Sequence, residues 1–221
     1  MREHLCTDRL RNGYHEGMST TQRSVIGRPR AFDVDQALDR AIEVFWRQGY
    51  EGASLSDLTE AMGINKTSMY KAFGNKRDLF DKALARYAEI DMAYARQALA
   101  APTARQVAET FLRENIKAVT APGRPAGCFS IQSGLSCGPA NAGVSTTLAR
   151  ARRAGEDAMR DRFRRAIQEG DLATGNDPDG LARYIMTVSE GLAVHAAAGA
   201  TREDLARVVE LALRAFPGVE T

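Results

Sequence analysis

The chain has few of the residues on which enzymes and secreted proteins depend. Three histidines and three cysteines are all that its 221 residues contain. His4, His15 and His195 stand isolated, and no HExxH, GxSxG, GxGxxG or P-loop pattern occurs, so no enzyme class can be read from motifs. Cys6, Cys128 and Cys137 fit no zinc-ligand spacing, and so small a number suits a reducing compartment better than a disulfide framework. No apolar run approaches the roughly 18 residues of a membrane span, and the N-terminus lacks the apolar core of a secretory signal. A large excess of one charge is also missing. Thirty basic residues face 28 acidic ones, for a net charge of +2, so any nucleic-acid surface must be a local patch. Strand-like alternation and repeats of fixed period are lacking as well. The expectation is a cytoplasmic protein that is not an enzyme, does not engage a membrane and needs neither cofactor nor metal.

What is present is helix. With 44% hydrophobic residues a substantial core is available. Residues 1–30 read as a polar, basic arm closed by "RSVIGRPR". Within it, Met18 opens an ordinary start, so the first 17 residues read as an over-extended start or an optional tail. From Asp33 the pattern is helical almost throughout. Leu38, Ala41, Ile42 and Phe45 keep the i, i+3, i+4, i+7 spacing, with Asp33 or Asp35 as cap and Gly49 as terminator. "SLSDLTEAMG" is a second helix with Ser54 as N-cap, Asp57 three residues on and Gly63 beyond its end. "NKTSMYKAFG" is a third, capped by Asn65 and ended by Gly74. A fourth begins near Asn75 and is expected to run unbroken to Pro102. Further helices are expected over about 104–120, 143–169, from Pro178, and from Thr201, with a short apolar segment, "CFSIQSGLSC", in between.

The third helix poses the functional question. Between Asn65 and Arg77 stand four basic residues and no acid. On a helical wheel Met69 and Phe73 share one face, while Thr67, Ser68, Tyr70 and Lys71 spread over the other. So thin an apolar face cannot hold a helix alone; it must lean on Leu58, Ala61 and Met62 of the preceding helix, with Phe45 and Trp46 supplying core. Two short helices joined by a glycine turn, the second polar and basic, make the helix-turn-helix pattern, whose hydroxyls and ammonium groups suit phosphates and base edges. A merely solvated face is the plain alternative.

The stretch "AIEVFWRQGYEGASLSDLTEAMGINKTSMYKAFGNKRDLF" resembles the TetR/AcrR family of bacterial transcriptional repressors, with Phe45, Gly49, Ser54, Leu58, Gly63, Lys66, Tyr70, Phe73, Lys76 and Phe80 in matching places. Gly127–Cys128 after a loop is similar to one branch of that family, whereas Ala72 stands where many members carry Tyr or His. The resemblance implies an all-α fold: a helix-turn-helix domain over residues 31–77 and an effector-binding and dimerisation domain over 78–221. It implies that Thr67, Ser68, Tyr70 and Lys71 face the groove of double-stranded operator DNA, with Asn65 and Lys66 at the start of the recognition helix. Ser54 and Lys76 would contact phosphate, and Arg28 and Arg30 could reach the minor groove or simply stay solvated.

Beyond residue 80 the expectations are coarser. Leu181, Tyr184, Ile185, Val188 and Leu192, then Leu205, Val208, Val209, Ala212 and Phe216, form apolar stripes. They are either core or, as the resemblance implies, the interface of a homodimer matched to a palindromic operator. Tyr87, Tyr94, Phe111, Asn115, Cys128, Phe129, Gln132, Phe163 and Met186 are candidates to line a pocket for a small-molecule effector, or simply core. Modification of Cys128 or Cys137 is an alternative trigger. Residues 150–165 hold seven arginines and three acids; both signs circle the helix, which favours a salt-bridged, solvated face over a second nucleic-acid patch.

Overall fold

The computed structural model describes residues 32–135 and 137–217, and the arm carrying Arg28 and Arg30 lies outside them. The described residues are helical, with no strand among them. In chain order the helices are α1 Val34–Gly52, α2 Leu55–Met62, α3 Lys66–Phe73, α4 Lys76–Ile90, α5 Ala93–Leu99, α6 Ala104–Val119, α7 Phe129–Leu135, α8 Ala142–Gln168, α9 Pro178–Ala197 and α10 Arg202–Ala215. A single 3-10 turn, Pro139–Asn141, precedes α8.

Local chemistry sets most ends. Asp33 caps α1 by accepting from Asp35 and Gln36 N–H. Ser54 with Asp57, Asn75 with Asp78, Thr103 with Gln106 and Thr201 with Asp204 form reciprocal capping boxes, each satisfying two backbone donors. Gly49 interrupts α1 at φ 71°, and a last short turn carries the chain on to Gly52. Gly63 ends α2 in the left-handed region. Gly127, at φ 95°, sits where a Cβ would lie 2.4 Å from Gln132 Nε2 and 2.9 Å from the Ala193 carbonyl, so only glycine fits before Cys128.

The expectation of one helix from Asn75 to Pro102 is corrected, because it divides at Asp91–Met92. The Tyr87 carbonyl receives both Asp91 N–H and Met92 N–H. Asp91 is ion-paired with Arg124. Arg96, from α5, donates to the carbonyls of Ala88 and Glu89 at 3.1 and 2.7 Å, taking over the open end of α4. The bend lets Tyr94 meet Asn115 of α6 at 3.0 Å.

One aromatic chain ties the N-terminal helices to the rest. Phe45 meets Phe80 edge-on with centroids 5.1 Å apart, Phe80 meets Phe129 at 5.5 Å, Phe129 meets Tyr87 at 5.4 Å, and Tyr87 meets Trp46 at 5.3 Å. Trp46 therefore does not fill the core beneath α2 and α3. It turns toward α4 and α7, where its indole N–H donates to Gln132 Oε1 at 2.6 Å.

The apolar stripes of α9 and α10 also need correction as an interface. Ile185, Leu192, Leu205, Val209, Ala212 and Phe216 are buried within the chain itself, since α9 packs on α6 and α8 and α10 packs on α6. They are core. Leu181, Tyr184 and Val188 are half-buried, and Val208 is exposed, as are Val194 and Leu211, which the sequence pattern did not single out.

Candidate nucleic-acid interface and effector cavity

α3 is built as its wheel implies. Met69 and Phe73 are buried against the helices beneath, while Lys66, Thr67, Tyr70 and Lys71 are exposed and Ser68 is half-buried. Asn65 caps the helix by accepting from Ser68 N–H at 2.8 Å. Lys82 closes the other end by donating to the Phe73 carbonyl at 2.8 Å. Four of the chain's five lysines fall between 66 and 82. The local patch that a net charge of +2 demands is therefore here.

The flanking candidates are placed differently. Ser54 is engaged with Asp57, its oxygen accepting from Asp57 N–H at 3.1 Å and its side chain helping to hold the Asp57 carboxyl pKa down. Lys76 is half-buried with Nζ 4.7 Å from the Tyr50 ring centroid; burial lowers its pKa and nearby Glu51 opposes the shift. Arg77, also in the basic stretch, is drawn to Asp81 and Thr147. Arg40 went unnoticed in the sequence. It is exposed on α1, and its Nη1 lies 3.3 Å from where a Gly63 Cβ would be, beside the turn between α2 and α3. The signal was weak, because one arginine on an acid-bearing helix face reads as ordinary surface.

A cavity of about 410 Å³ opens among α4, α5, α6, α7, α8 and α9. Tyr87, Phe111, Cys128 and Met186 line it as expected; Tyr94, Asn115, Phe129, Gln132 and Phe163 do not. Each of these five has other work. Tyr94 and Asn115 bond to each other, burial pushing the phenol pKa up against the opposing hydrogen bond. Phe129 belongs to the aromatic chain, Gln132 bridges Trp46 and the Ala126 carbonyl, and Phe163 stacks on Phe216. The lining that sequence reading missed includes Leu84, Met92, Leu99, Met159, Arg152, Ser189 and Glu190. They are spread over α4, α5, α8 and α9 and the turn before α5, and nothing in one sequence says which helix row meets empty space.

At the α7 end, the Tyr87 O–H donates to Cys128 Sγ at 3.3 Å, and Ser130 Oγ lies 3.1 Å from the same sulfur. Burial raises the Tyr87 pKa well above that of a free phenol, with Cys128 adding to the shift. Cys137 is outside the lining; its thiol donates to the Ser133 carbonyl, and burial pushes its pKa up. Among the described residues no cluster of three potential metal ligands forms, and no helix is long and apolar enough to cross a membrane. In the basic run 150–165, Arg160, Arg164 and Arg165 are salt-bridged on the surface. Arg152 and Arg162 depart from that reading, the first on the cavity wall and the second buried.

Residues 37–83 match the family described as bacterial regulatory proteins, tetR family, and residues 104–212 match the tetracyclin repressor-like, C-terminal domain. The HTH-type transcriptional repressor ComR of Escherichia coli (strain K12) is 33% identical over 196 residues, covering 86% of this chain and 92% of its own. The uncharacterized HTH-type transcriptional regulator YezE of Bacillus subtilis (strain 168) is 36% identical over 163 residues, covering 72% and 84%. Among solved structures, the TetR family transcriptional regulator CifR, a cysteine mutant complexed with 26-base-pair double-strand operator DNA, is 46% identical with a TM-score of 0.83, over 86% of this chain and 100% of that one. The chain belongs to the TetR family and is a DNA-binding, helix-turn-helix transcriptional regulator.

Proposed function

We propose that the protein is a homodimeric repressor that a small molecule, bound in the cavity, releases from a palindromic operator. One observation carries the release step: the cavity wall packs directly on α1, the helix on which α2 rests. Tyr87 lines the cavity and packs edge-on against Trp46 of α1. Cys128, Ser130 and Ile131 line it beside and within α7, the helix whose Gln132 holds the Trp46 indole and whose Ser133 Oγ donates to the Phe45 carbonyl at 3.4 Å. Just beyond, Glu51 accepts from Gly138 N–H at 2.7 Å and from Asn141 at 2.9 Å. A ligand that moves α4 or α7 therefore moves α1, and with it the spacing of paired recognition helices. Both helices are levers in this reading.

In the reading helix, Asn65, Lys66, Thr67, Ser68, Tyr70 and Lys71 take the groove, with Ser54, Lys76 and Arg40 at phosphates. The division of labour follows residues 31–77 for DNA and 78–221 for effector and dimer. The dimer face falls to the exposed side of α9 and α10, where Tyr184, Val188, Val194, Val208 and Leu211 remain outside the core. Support comes from the operator-bound relative and from the surface left apolar on these two helices. The test is a mobility-shift assay with DNA recovered by pull-down and sequencing, run beside light scattering. Specific, salt-sensitive binding as a dimer is expected; binding as a monomer, or equally to any duplex, would refute the reading.

A second reading has one observation in its favour, the Cys128 thiol on the cavity wall with Tyr87 O–H directed at its sulfur. An electrophile entering the cavity would add at Cys128. Cys137 lies outside the lining, and the seven residues of α7 alone span about 10 Å, too far for a Cys128–Cys137 disulfide in this arrangement. A Cys128→Ser protein that still releases DNA to a non-reactive ligand supports the reversible pocket. A wild type that answers only to electrophiles, through Cys128, supports the thiol.

A further inference from the structure

The cavity wall is apolar along most of its length, yet its charged groups are out of balance. Arg96, Arg152 and Glu190 line it. Arg96 is committed to the carbonyls at the end of α4. Arg152 approaches Glu190 only to 3.9 Å, with both side chains about one-third exposed, at 35% and 38%. That separation is an ion pair without a hydrogen bond, so the guanidinium keeps its donors free. Ser189, one residue before Glu190 and buried, brings a hydroxyl to the same wall.

A third arginine stands behind the lining. Arg162, 5% exposed, continues on α8 the helical row of Gly155, Ala158 and Met159, all of which line the cavity. Its Nη2 donates to the Ala101 and Pro102 carbonyls at 2.9 and 2.8 Å, while Nε and Nη1 have no hydrogen-bond partner. Two guanidinium groups thus line the cavity against one carboxylate, and a third is buried behind the wall. The cavity opens to solvent past exposed Ala151, Ala154 and Ala158, and against its apolar inner wall an uncompensated positive charge is still felt more strongly than in bulk water. Glu190 offsets it poorly: burial raises its carboxyl pKa, Arg152 opposes the shift, and Glu156 adds to it.

We infer that the effector is an amphipathic organic anion. Its apolar body lies against Leu99, Phe111, Met159 and Met186, and a carboxylate head takes the free donors of Arg152 and the Ser189 hydroxyl, turning Glu190 aside. A cationic head would reach Glu190 only beside the guanidinium of Arg152. The inference rests on the cavity being the effector site, and it names the chemical class of ligand that the site accepts.

Phenylbutyrate, phenylbutanol and phenylbutylamine share a body and differ in head, so they separate the two claims. Binding to the full chain can be read by calorimetry and by the fluorescence of the single tryptophan, Trp46, whose ring packs on cavity-lining Tyr87. Phenylbutyrate should bind about tenfold or more tighter than phenylbutanol, the gain of a charge-assisted pair, and phenylbutylamine should bind weakest. Arg152→Met should bring the acid down to the level of the alcohol. Glu190→Gln should tighten the acid, because the competing carboxylate is gone. An amine that binds tightest, or an acid no better than the alcohol, overturns the anion assignment; if the alcohol then still releases operator DNA, the cavity remains the effector site. If none of the three binds, the effector-site reading and the anion assignment fall together.

Discussion

The recognition unit and the cavity are opposite solutions to the problem of presenting chemistry. α2 and α3 are eight residues each and capped at both ends, and α3 is fixed by two buried side chains so that its other face is free. The functional groups there point to water and cost nothing to solvate. The cavity is walled by six helices drawn from the 110 residues from Leu84 to Ala193, and its polar groups are few and partly buried. Exposed groups can be numerous and individually weak, as phosphate contacts are. Enclosed ones must be scarce, and each must find a partner in the protein or in a ligand. The stretched Arg152–Glu190 pair on its wall, with the bare donors of Arg162 buried behind, marks this region as the unfinished part of the molecule.

That contrast predicts where truncation hurts. Phe73→Ala should be the most damaging change, costing roughly 3–5 kcal/mol, because Phe73 is 1% exposed and is one of only two anchors of α3. Thermal unfolding and hydrogen exchange in residues 54–80 would register it, and a loss below about 1 kcal/mol would show that α3 does not depend on its anchors. Ser54→Ala should cost about 1 kcal/mol through the lost cap, measured by denaturant unfolding. The same change should alter the acid response. Hydrogen bonds from Ser54 hold the Asp57 carboxyl pKa below its ordinary value. A depressed folded-state pKa gives stability that is complete above the unfolded carboxylate range and is lost as the pH falls through the lower, folded value. Ser54→Ala should therefore flatten the decline of stability on acidification; an unchanged acid profile would exclude the capping box as its source.

Met186→Ala sharpens the comparison from the cavity side. Met186 is half-buried and already borders open space, so its truncation leaves little new void and should cost less than about 1 kcal/mol. Its effect should appear instead in ligand binding, as a shifted affinity for a probe that fills the cavity. A loss as large as that of Phe73→Ala would mean that the cavity is closed around a packed methionine.

The same contrast explains what could be read in the sequence. Caps, turns and the two faces of α3 depend on residues within four positions of one another, so Ser54–Asp57, Asn65, Gly63 and Gly74 could be placed from spacing alone. The break at Asp91 could not, because its causes are Arg124, thirty-three positions away, and the carbonyls taken by Arg96. The stripes of α9 and α10 were seen, but an apolar stripe does not say whether α6 or a second copy covers it. Aromatic residues were over-assigned to the pocket for a similar reason. Phe129 and Phe163 are the kind of side chain that binds ligands and also the kind that fills a core. Arg152 was hidden inside a run whose charge pattern reads as solvated surface, and Glu190 stood as a lone acid in the apolar pattern of α9 beyond its first turn.

The smallest expected change in stability tests the surface half of the comparison most directly. Lys71 is exposed on the last turn of α3 and makes no ion pair among the described residues. A positive charge near a helix C-terminus is worth a few tenths of a kcal/mol, so Lys71→Ala should leave the unfolding midpoint nearly unchanged. Operator affinity should nevertheless fall, and fall less steeply with salt. Each phosphate neutralised contributes about 0.9 to the slope of log affinity against log salt, and a dimer carries two copies of Lys71, so the slope should shrink by about 2. Fluorescence anisotropy on labelled operator across a salt series measures it. Tyr70→Phe, at a neighbouring exposed position, should weaken binding without moving the slope, because it removes a hydroxyl and no charge. If Lys71→Ala leaves both affinity and slope where they were, this lysine is solvated surface, and the basic stretch reads DNA through Lys66 and Lys76 instead.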